Sequence, residues 1–431
     1  MGLSDEVLKV LEELGFDTPS QIQEKSIPHL LEAYDDFIGL AQTGTGKTAA
    51  FGLPLLERID PDFEATQALV LAPTRELGQQ IASQLEHFGK YLKRINILAV
   101  YGGAAISNQI KALRRTQHVI IATPGRLIDL IKRKAIKLDQ LQVIVLDEAD
   151  EMLNMGFKED LDKILSYTPD DKMTWLFSAT MPKQIKKIVD TYMEDPFEVR
   201  IDATSKVNTN IEHQYISVKQ NDKTEALKRI LDLNPNMRGV VFCRTKRDTQ
   251  ALAEDLLQKN YMADALHGDL SQAQRDRVMK RFKNHSLQVL IATDVAARGI
   301  DVQDLTHVFH FTLPDETSYY THRSGRTARA GKEGLSIAFI NGKEIYRINR
   351  LQKELDIEFT KIEIPNVNDI AKVRIENWCV DVVDMDVKKI DKDLLDMATT
   401  QLGELSKEEL IERMLYVELK SLHLDDLLQI D

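Results

Sequence analysis

Three short stretches of this 431-residue chain combine residue types and spacings suited to handling a chain of phosphates. The first is Ala41-Gln42-Thr43-Gly44-Thr45-Gly46-Lys47-Thr48. Its glycines let backbone N–H groups approach phosphate oxygens, the Lys47 ammonium neutralises charge on the outer two phosphates, and the Thr48 hydroxyl is a ligand for Mg²⁺. The usual pattern opens on glycine, and this chain has Ala41 there. The second stretch, Asp147-Glu148-Ala149-Asp150, ends an apolar run. A carboxylate in that place can hold the water shell of a metal ion, and the next acid can polarise an attacking water. The third, His322-Arg323-Ser324-Gly325-Arg326-Thr327-Ala328-Arg329, sets Arg323, Arg326 and Arg329 three residues apart, on one helical face. Guanidinium groups are always charged and fork onto phosphate oxygens, so two of them suit a terminal phosphate held elsewhere in the fold.

Such groups need strand ends and helix starts to hold them, and the apolar pattern supplies both. Leu3, Val7, Leu8, Leu11 and Leu14 have helical spacing, with Ser4 as N-cap and Gly15 as the stop. Strands are expected over Phe37–Ala41, Ala68–Ala72, Ile95–Tyr101, His118–Ala122, Val143–Leu146 and Trp175–Phe177. A polar stretch from Asp202 to Asn210 breaks the pattern. It restarts with Gly239–Cys243, Ala263–Leu266, Val289–Ala292, Val308–Phe311 and Ser336–Ile340. Short apolar runs alternating with helical patterns imply an α/β fold with parallel sheets and crossover helices. The expected division is residues 1–203, a linker 204–210, a second α/β unit 211–365 and a helical segment 366–431. Only the first unit carries a phosphate loop, so one nucleotide is expected to serve both.

The chain is too long for a single core. Hydrophobic residues make up 43% and charged residues 29%, as in ordinary globular proteins. No apolar run has the length of a membrane span, and Cys243 and Cys379 lie far apart with no metal-ligand spacing, so a reduced cytoplasm and no membrane partner are expected. The net charge of −12 is uneven. Residues 366–431 hold 8 Lys and Arg against 16 Asp and Glu, which is −8, and leave −4 for the rest. A local basic track on the two α/β units is therefore compatible with the overall charge. In the acidic segment Ser406-Lys407-Glu408-Glu409 is a capping box, opening a helix with Leu410, Met414 and Val417 on one face.

From about Leu3 to Ile364 the chain resembles the DEAD-box RNA helicases, which are superfamily-two ATPases. The motifs occur in that family's order: Gly15-Phe16 with Pro19-Ser20-Gln21-Ile22-Gln23, the phosphate loop, Pro73-Thr74-Arg75-Glu76-Leu77, Gly102-Gly103, and Thr123-Pro124-Gly125-Arg126. Asp147–Asp150, Ser178-Ala179-Thr180, Gln272–Arg275, Ala297-Arg298-Gly299-Ile300-Asp301 and His322–Arg329 follow. The resemblance implies two tandem RecA-like lobes and ATP with Mg²⁺ as the nucleotide and its metal. It assigns Gln23 to the adenine edge with Phe16 near the base, residues 41–48 to the phosphates, Thr48 and Asp147 to the metal, and Asp301 to the ribose. Glu148 becomes the general base, and Arg326 and Arg329 the fingers from the second lobe. Ser178 and Thr180 are expected to link Asp147 and Asp150 to His322. Arg75, Gly103, Thr123, Arg126, Gln272, Arg275 and Thr293 are expected on RNA. Ser324 and Ala328 stand where Ile or Val and Gly are common in the family.

The activity so implied is local, non-processive unwinding or remodelling of RNA and RNA–protein complexes. Two other readings are a DNA-directed motor of the same superfamily and an ATP-gated RNA clamp. Against the first stands the Gln23 constellation, and against the second the intact Lys47, Glu148, Arg326 and Arg329. The segment 366–431 resembles, more loosely, the dimerisation segment of bacterial cold-shock DEAD-box helicases, which implies a homodimer. Its own apolar residues, among them Ile370, Val373, Ile375, Trp378, Val380, Val382 and Val383, are too many for a lone 66-residue core and should seek a partner, either the second lobe of the same chain, giving a monomer, or the same segment of another copy.

Overall fold

The computed structural model describes residues 2–42, 44–201, 210–297, 305–328, 332–386 and 390–421. The first half holds β1 (Phe37–Leu40), β2 (Ala68–Leu71), β3 (Ile97–Val100), β4 (Val119–Ala122), β5 (Val143–Asp147), β6 (Met173–Ser178) and β7 (Phe197–Arg200). They form one seven-stranded sheet in the order β3-β4-β2-β5-β6-β1-β7, every pair parallel. The second half holds β8 (Ile211–Ser217), β9 (Gly239–Cys243), β10 (Ala263–Leu266), β11 (Val289–Thr293), β12 (His307–His310), β13 (Gly334–Ile340) and β14 (Phe359–Lys361). Its sheet is again parallel, ordered β10-β11-β9-β12-β13-β8-β14. These are tandem RecA-like lobes.

The central strands are buried and mostly apolar because helices cover both faces of each sheet. Successive side chains feed opposite layers. Phe37, Val70, Val145 and Trp175 join one core of the first lobe, while Ile38, Leu69, Leu146 and Leu176 join the other. In the second lobe Val241, Ile291 and Phe309 face one core and Val240, Leu290 and Val308 the opposite one. Each fully buried aliphatic side chain of this kind contributes about 1.5–3 kcal/mol.

The opening helix runs Asp5–Glu13; the Ser4 hydroxyl accepts from the Val7 N–H, and Gly15 takes a φ of 70°. Three helices, Val367–Asp384, Lys392–Leu402 and Lys407–Ser421, follow the second lobe. The first packs against the helix Lys223–Leu233, buries Ile370 and pairs Arg374 with Asp232. Farther on, Val380, Val383, Leu394, Leu395 and Met397 are all more than half exposed. Residues 204–209 of the expected linker lie outside the described residues. Among the described residues no helix is long and apolar enough to cross a membrane.

Candidate active site between the lobes

The phosphate loop leaves the C-terminal end of β1 and enters the helix Lys47–Glu57. Gly44 and Gly46 take φ values of 85° and 88°, a region in which a Cβ is strained. Gly46 is required for a second reason: a Cβ there would overlap the Gln23 amide. Gln23 itself lies under the loop, its Oε1 accepting from the Ser20 N–H and its Nε2 donating to the Gly46 carbonyl at 3.1 Å. The Ser20 hydroxyl donates to the Thr45 carbonyl at 2.7 Å, so the stretch expected to read adenine also braces the loop. Thr45 closes it by donating to the Gln42 carbonyl. Phe16 is half exposed and meets Phe88 edge to face. Thr43 lies outside the described residues, as do Asp301 and Arg329.

Lys47 is buried, and its ammonium donates to the Ala41 carbonyl at 2.6 Å. β5 delivers Asp147, and Glu148 sits at the sharp turn after it with a φ of 48°. The Asp147 carboxylate accepts from the Glu148 N–H. Burial, and then the Glu148 charge, push the Asp147 pKa up to about 7, against the pull of Lys47. A cation at this carboxylate would remove that penalty. With the Thr48 hydroxyl at the start of the same helix as Lys47, the donor set is hard oxygen. That fits Mg²⁺, whose remaining ligands come from phosphate and water.

Across the cleft stands the helix Thr317–Ser324, with Arg326 in the turn that follows. One cleft is lined by Lys47, Glu148, Asp150, Glu151 and Ala179 of the first lobe and by Asp294, Tyr319, His322, Arg323 and Arg326 of the second. Arg323 forks onto Asp294 at 2.5 and 2.8 Å and donates to the Thr312 carbonyl, so it holds the helix to its own lobe. Arg326 is largely buried at the lobe boundary.

The expected link from Asp150 and Ser178-Ala179-Thr180 to His322 is drawn differently. Asp150 accepts from the Thr180 N–H and hydroxyl at 3.0 and 2.7 Å, and Ser178 donates to the Thr180 carbonyl. His322 instead meets Glu151, its Nδ1 2.6 Å from the Glu151 carboxylate. Asp150 is occupied within its own lobe, and the next acid along reaches the partner. Sequence reasoning missed Glu151 because an acid in the first turn of a helix needs no explanation beyond the helix dipole.

The residues expected on RNA gather along one edge, where several are already engaged. Arg75 of the helix Arg75–Phe88 reaches both oxygens of Asp276 in the second lobe at 3.1–3.2 Å and lies over the Tyr101 ring. Arg275 answers with a 2.8 Å pair to Glu76 of the first lobe. A Cβ at Gly103, whose φ is 80°, would come within 3.2 Å of Gln272 Oε1, so these two meet across the boundary. Arg126 donates to Gln109 and to the Ala104 carbonyl, bracing the loop that follows Gly103. Thr123 precedes the helix Pro124–Lys132, and Thr293 ends β11.

A phosphate loop on one RecA-like lobe, facing arginines of a second across a shared cleft, defines a tandem-lobe ATPase. The chain belongs to the DEAD-box ATP-dependent RNA helicases. Residues 20–188 match the DEAD/DEAH box helicase family, and residues 222–331 match the helicase conserved C-terminal domain. Residues 370–425 match the helical domain of a probable ATP-dependent RNA helicase family. The chain is 44% identical over 369 residues to the DEAD-box ATP-dependent RNA helicase CshA of Bacillus cereus, covering 86% of this chain and 70% of that one. To the ATP-dependent RNA helicase CshA of Listeria monocytogenes it is 40% identical over 420 residues, covering 94% and 80%. Among solved structures it resembles S. cerevisiae Dbp5 bound to RNA and ADP BeF3, with a TM-score of 0.79 at 32% identity, covering 86% of this chain and 98% of that one. Mss116p bound to ssRNA and AMP-PNP gives 0.76 at 26% identity, covering 96% and 92%.

Proposed function

We propose that this helicase hydrolyses ATP in the cleft between its lobes and uses the cycle for local, non-processive opening or remodelling of RNA. The observation that carries this reading is the convergence of Lys47, Glu148 and Arg326 on one cleft formed by both lobes. Lys47 and the backbone N–H groups of residues 44–48 hold the phosphates, and Thr48 and Asp147 hold Mg²⁺. That ion, when bound, offsets charge on the phosphates. Glu148 takes the proton of the attacking water, and Arg326 and Arg329 meet the charge that develops on the terminal phosphate. Phe16 and Gln23 favour adenine, and Asp301 takes the ribose.

RNA lies along the edge marked by Arg75, Gly103, Thr123, Arg126, Gln272, Arg275 and Thr293. Contacts there are mostly to phosphate and sugar, with little sequence preference. The working units are residues 1–203 and 211–365, in the cytoplasm. ATP turnover measured with RNA and with DNA of one sequence tests the reading. Stimulation by RNA alone is expected; equal stimulation by DNA would favour a DNA motor, and no turnover at all would favour a clamp.

The segment 366–431 joins two copies of the chain. The exposed Val380, Val383, Leu394, Leu395 and Met397 support this, because that much apolar surface left uncovered on these helices seeks a partner. Its acidic balance keeps it off RNA. Light-scattering mass of the full chain is expected to be twice the 49.1 kDa of one copy, and a monomer at tens of micromolar would overturn it.

A further inference from the structure

Glu151 is a buried carboxylate of the cleft, only 4% exposed, with no role in holding phosphate, metal or water. It stands in the first turn of the helix Ala149–Asn154, beside the acids that do have such roles. Its neighbour Asp150 is used within the first lobe, by Thr180 and by the Glu151 N–H. The Glu151 side chain points the other way, to His322 of the second lobe at 2.6 Å. A carboxylate this deep costs free energy unless polar or positive groups meet it, and the other lobe brings the His322 ring to within 2.6 Å. The contact exists only when the lobes are together.

What His322 is attached to makes the contact consequential. The helix Thr317–Ser324 is fastened to the sheet beneath it by a buried polar cluster. The Tyr320 hydroxyl meets His213 at 2.6 Å and Ser336 at 3.1 Å, and the Ser324 hydroxyl meets Ser336 at 2.9 Å and His310 at 3.2 Å. Ser324, where the family commonly has Ile or Val, is therefore matched to the histidine under it. Fastened at several points, the helix moves as one body with its lobe. Arg326 follows within one turn of His322, and its Nε donates to the His322 carbonyl. A shift of His322 is thus a shift of Arg326.

We infer that Glu151 is a positioning residue: it receives His322 when the lobes close and so aims Arg326 at the terminal phosphate. The inference rests on the ATPase reading above. It needs no particular charge on His322, because a neutral imidazole carrying its proton on Nδ1 can donate to the carboxylate, and a protonated one can do so more strongly.

The test is a double-mutant cycle on the full chain with Glu151→Ala, His322→Ala and both together, read by RNA-saturated kcat, by KM for ATP and by inter-lobe fluorescence transfer with a non-hydrolysable ATP analogue and RNA. Each single change is expected to lower kcat about 10- to 100-fold, the loss that misplacing a catalytic group by about 1 Å brings, with KM within threefold. The closed fraction should fall in each, and the double variant should lose no more than either single one. Glu151→Gln, whose amide oxygen still accepts from Nδ1–H, should recover much of the loss and decides the matter if the alanine variant does not fold. Losses that multiply, an unchanged closed fraction in Glu151→Ala, or Glu151→Gln as poor as Glu151→Ala would overturn the inference. A parent chain without RNA-stimulated turnover would instead overturn the ATPase reading, while the fluorescence readout still judges the Glu151 contact.

Discussion

The two lobes share one topology and divide the chemistry. Taken from the same edge, β8 occupies the place of β1, and β9 to β14 those of β2 to β7. Each lobe even begins the helix after that strand with a buried lysine, Lys47 in one and Lys223 in the other. In the first lobe a glycine turn precedes the lysine and leaves it at the cleft. In the second the intervening residues are Val218-Lys219-Gln220-Asn221-Asp222. Without glycines no cradle forms, and Lys223 turns inward to donate to the Phe311 and Phe339 carbonyls. The fifth strands part in the same way: β5 ends in Asp147, whereas β12 ends in the buried His310. A RecA-like frame fixes where functional groups can stand, and the loop residues decide whether they serve a ligand or the core.

Glu148→Gln is the strongest way to test the first lobe's share. The exchange is nearly isosteric and keeps Lys47 and Asp147, so turnover should fall about 10²–10⁴-fold with ATP binding retained. Calorimetric titration with a non-hydrolysable analogue, beside steady-state turnover, checks both halves. Parent-like turnover would remove Glu148 from the role of base.

Acid should separate the lobes. Burial lowers His213 and His307 to about 4 and holds His310 well below its ordinary value, all in the second lobe. Between pH 6.5 and 4 the unfolded chain binds protons that the folded lobe refuses, so stability present above pH 6.5 is lost as pH falls. At pH 5 the loss is about 2 kcal/mol for each of His213 and His307. Asp147 works with the opposite sign: its raised value means that the folded first lobe binds the extra proton, and acidification relieves it. Hydrogen exchange at pH 7 and pH 5, corrected for intrinsic rates, should show the second lobe opening first at the lower pH. Equal loosening of both lobes would contradict the difference.

The smallest effects lie at the RNA edge, where the lobes hold each other through Arg75–Asp276 and Glu76–Arg275. Arg75→Ala should flatten the log–log salt dependence of RNA affinity by about 0.7. Asp276→Asn, which frees Arg75 from a partly exposed pair, should raise RNA affinity about two- to fivefold. Filter binding across a salt series reads both, and unchanged values in both variants would take Arg75 off the RNA edge.

Much of this was legible in the chain because its signals are local. The phosphate loop needs glycines at positive φ next to GKT, the Ser4 cap and Gly15 stop are turn chemistry, and the central strands are continuous apolar runs. β7, β8 and β14 escaped notice. They lie at or next to the sheet edge with mixed side chains, as in Phe-Glu-Val-Arg of β7, and pairing to a neighbour rather than their own pattern makes them strands. Cross-lobe contacts were equally hidden. Glu151 and Asp276 read as ordinary helix-surface acids until another lobe is set against them. Ala328 shows the same limit, since its φ of 56° gives a reason for the glycine common in the family that no spacing reveals.

The division of labour itself is tested most directly by Arg326→Ala, with single-turnover hydrolysis and ATP affinity measured on the same full-length protein under saturating RNA. If the second lobe supplies transition-state charge to a site built by the first, hydrolysis falls about 10³-fold while ATP affinity stays within threefold. Undiminished hydrolysis, or a loss explained wholly by weaker ATP binding, would contradict it.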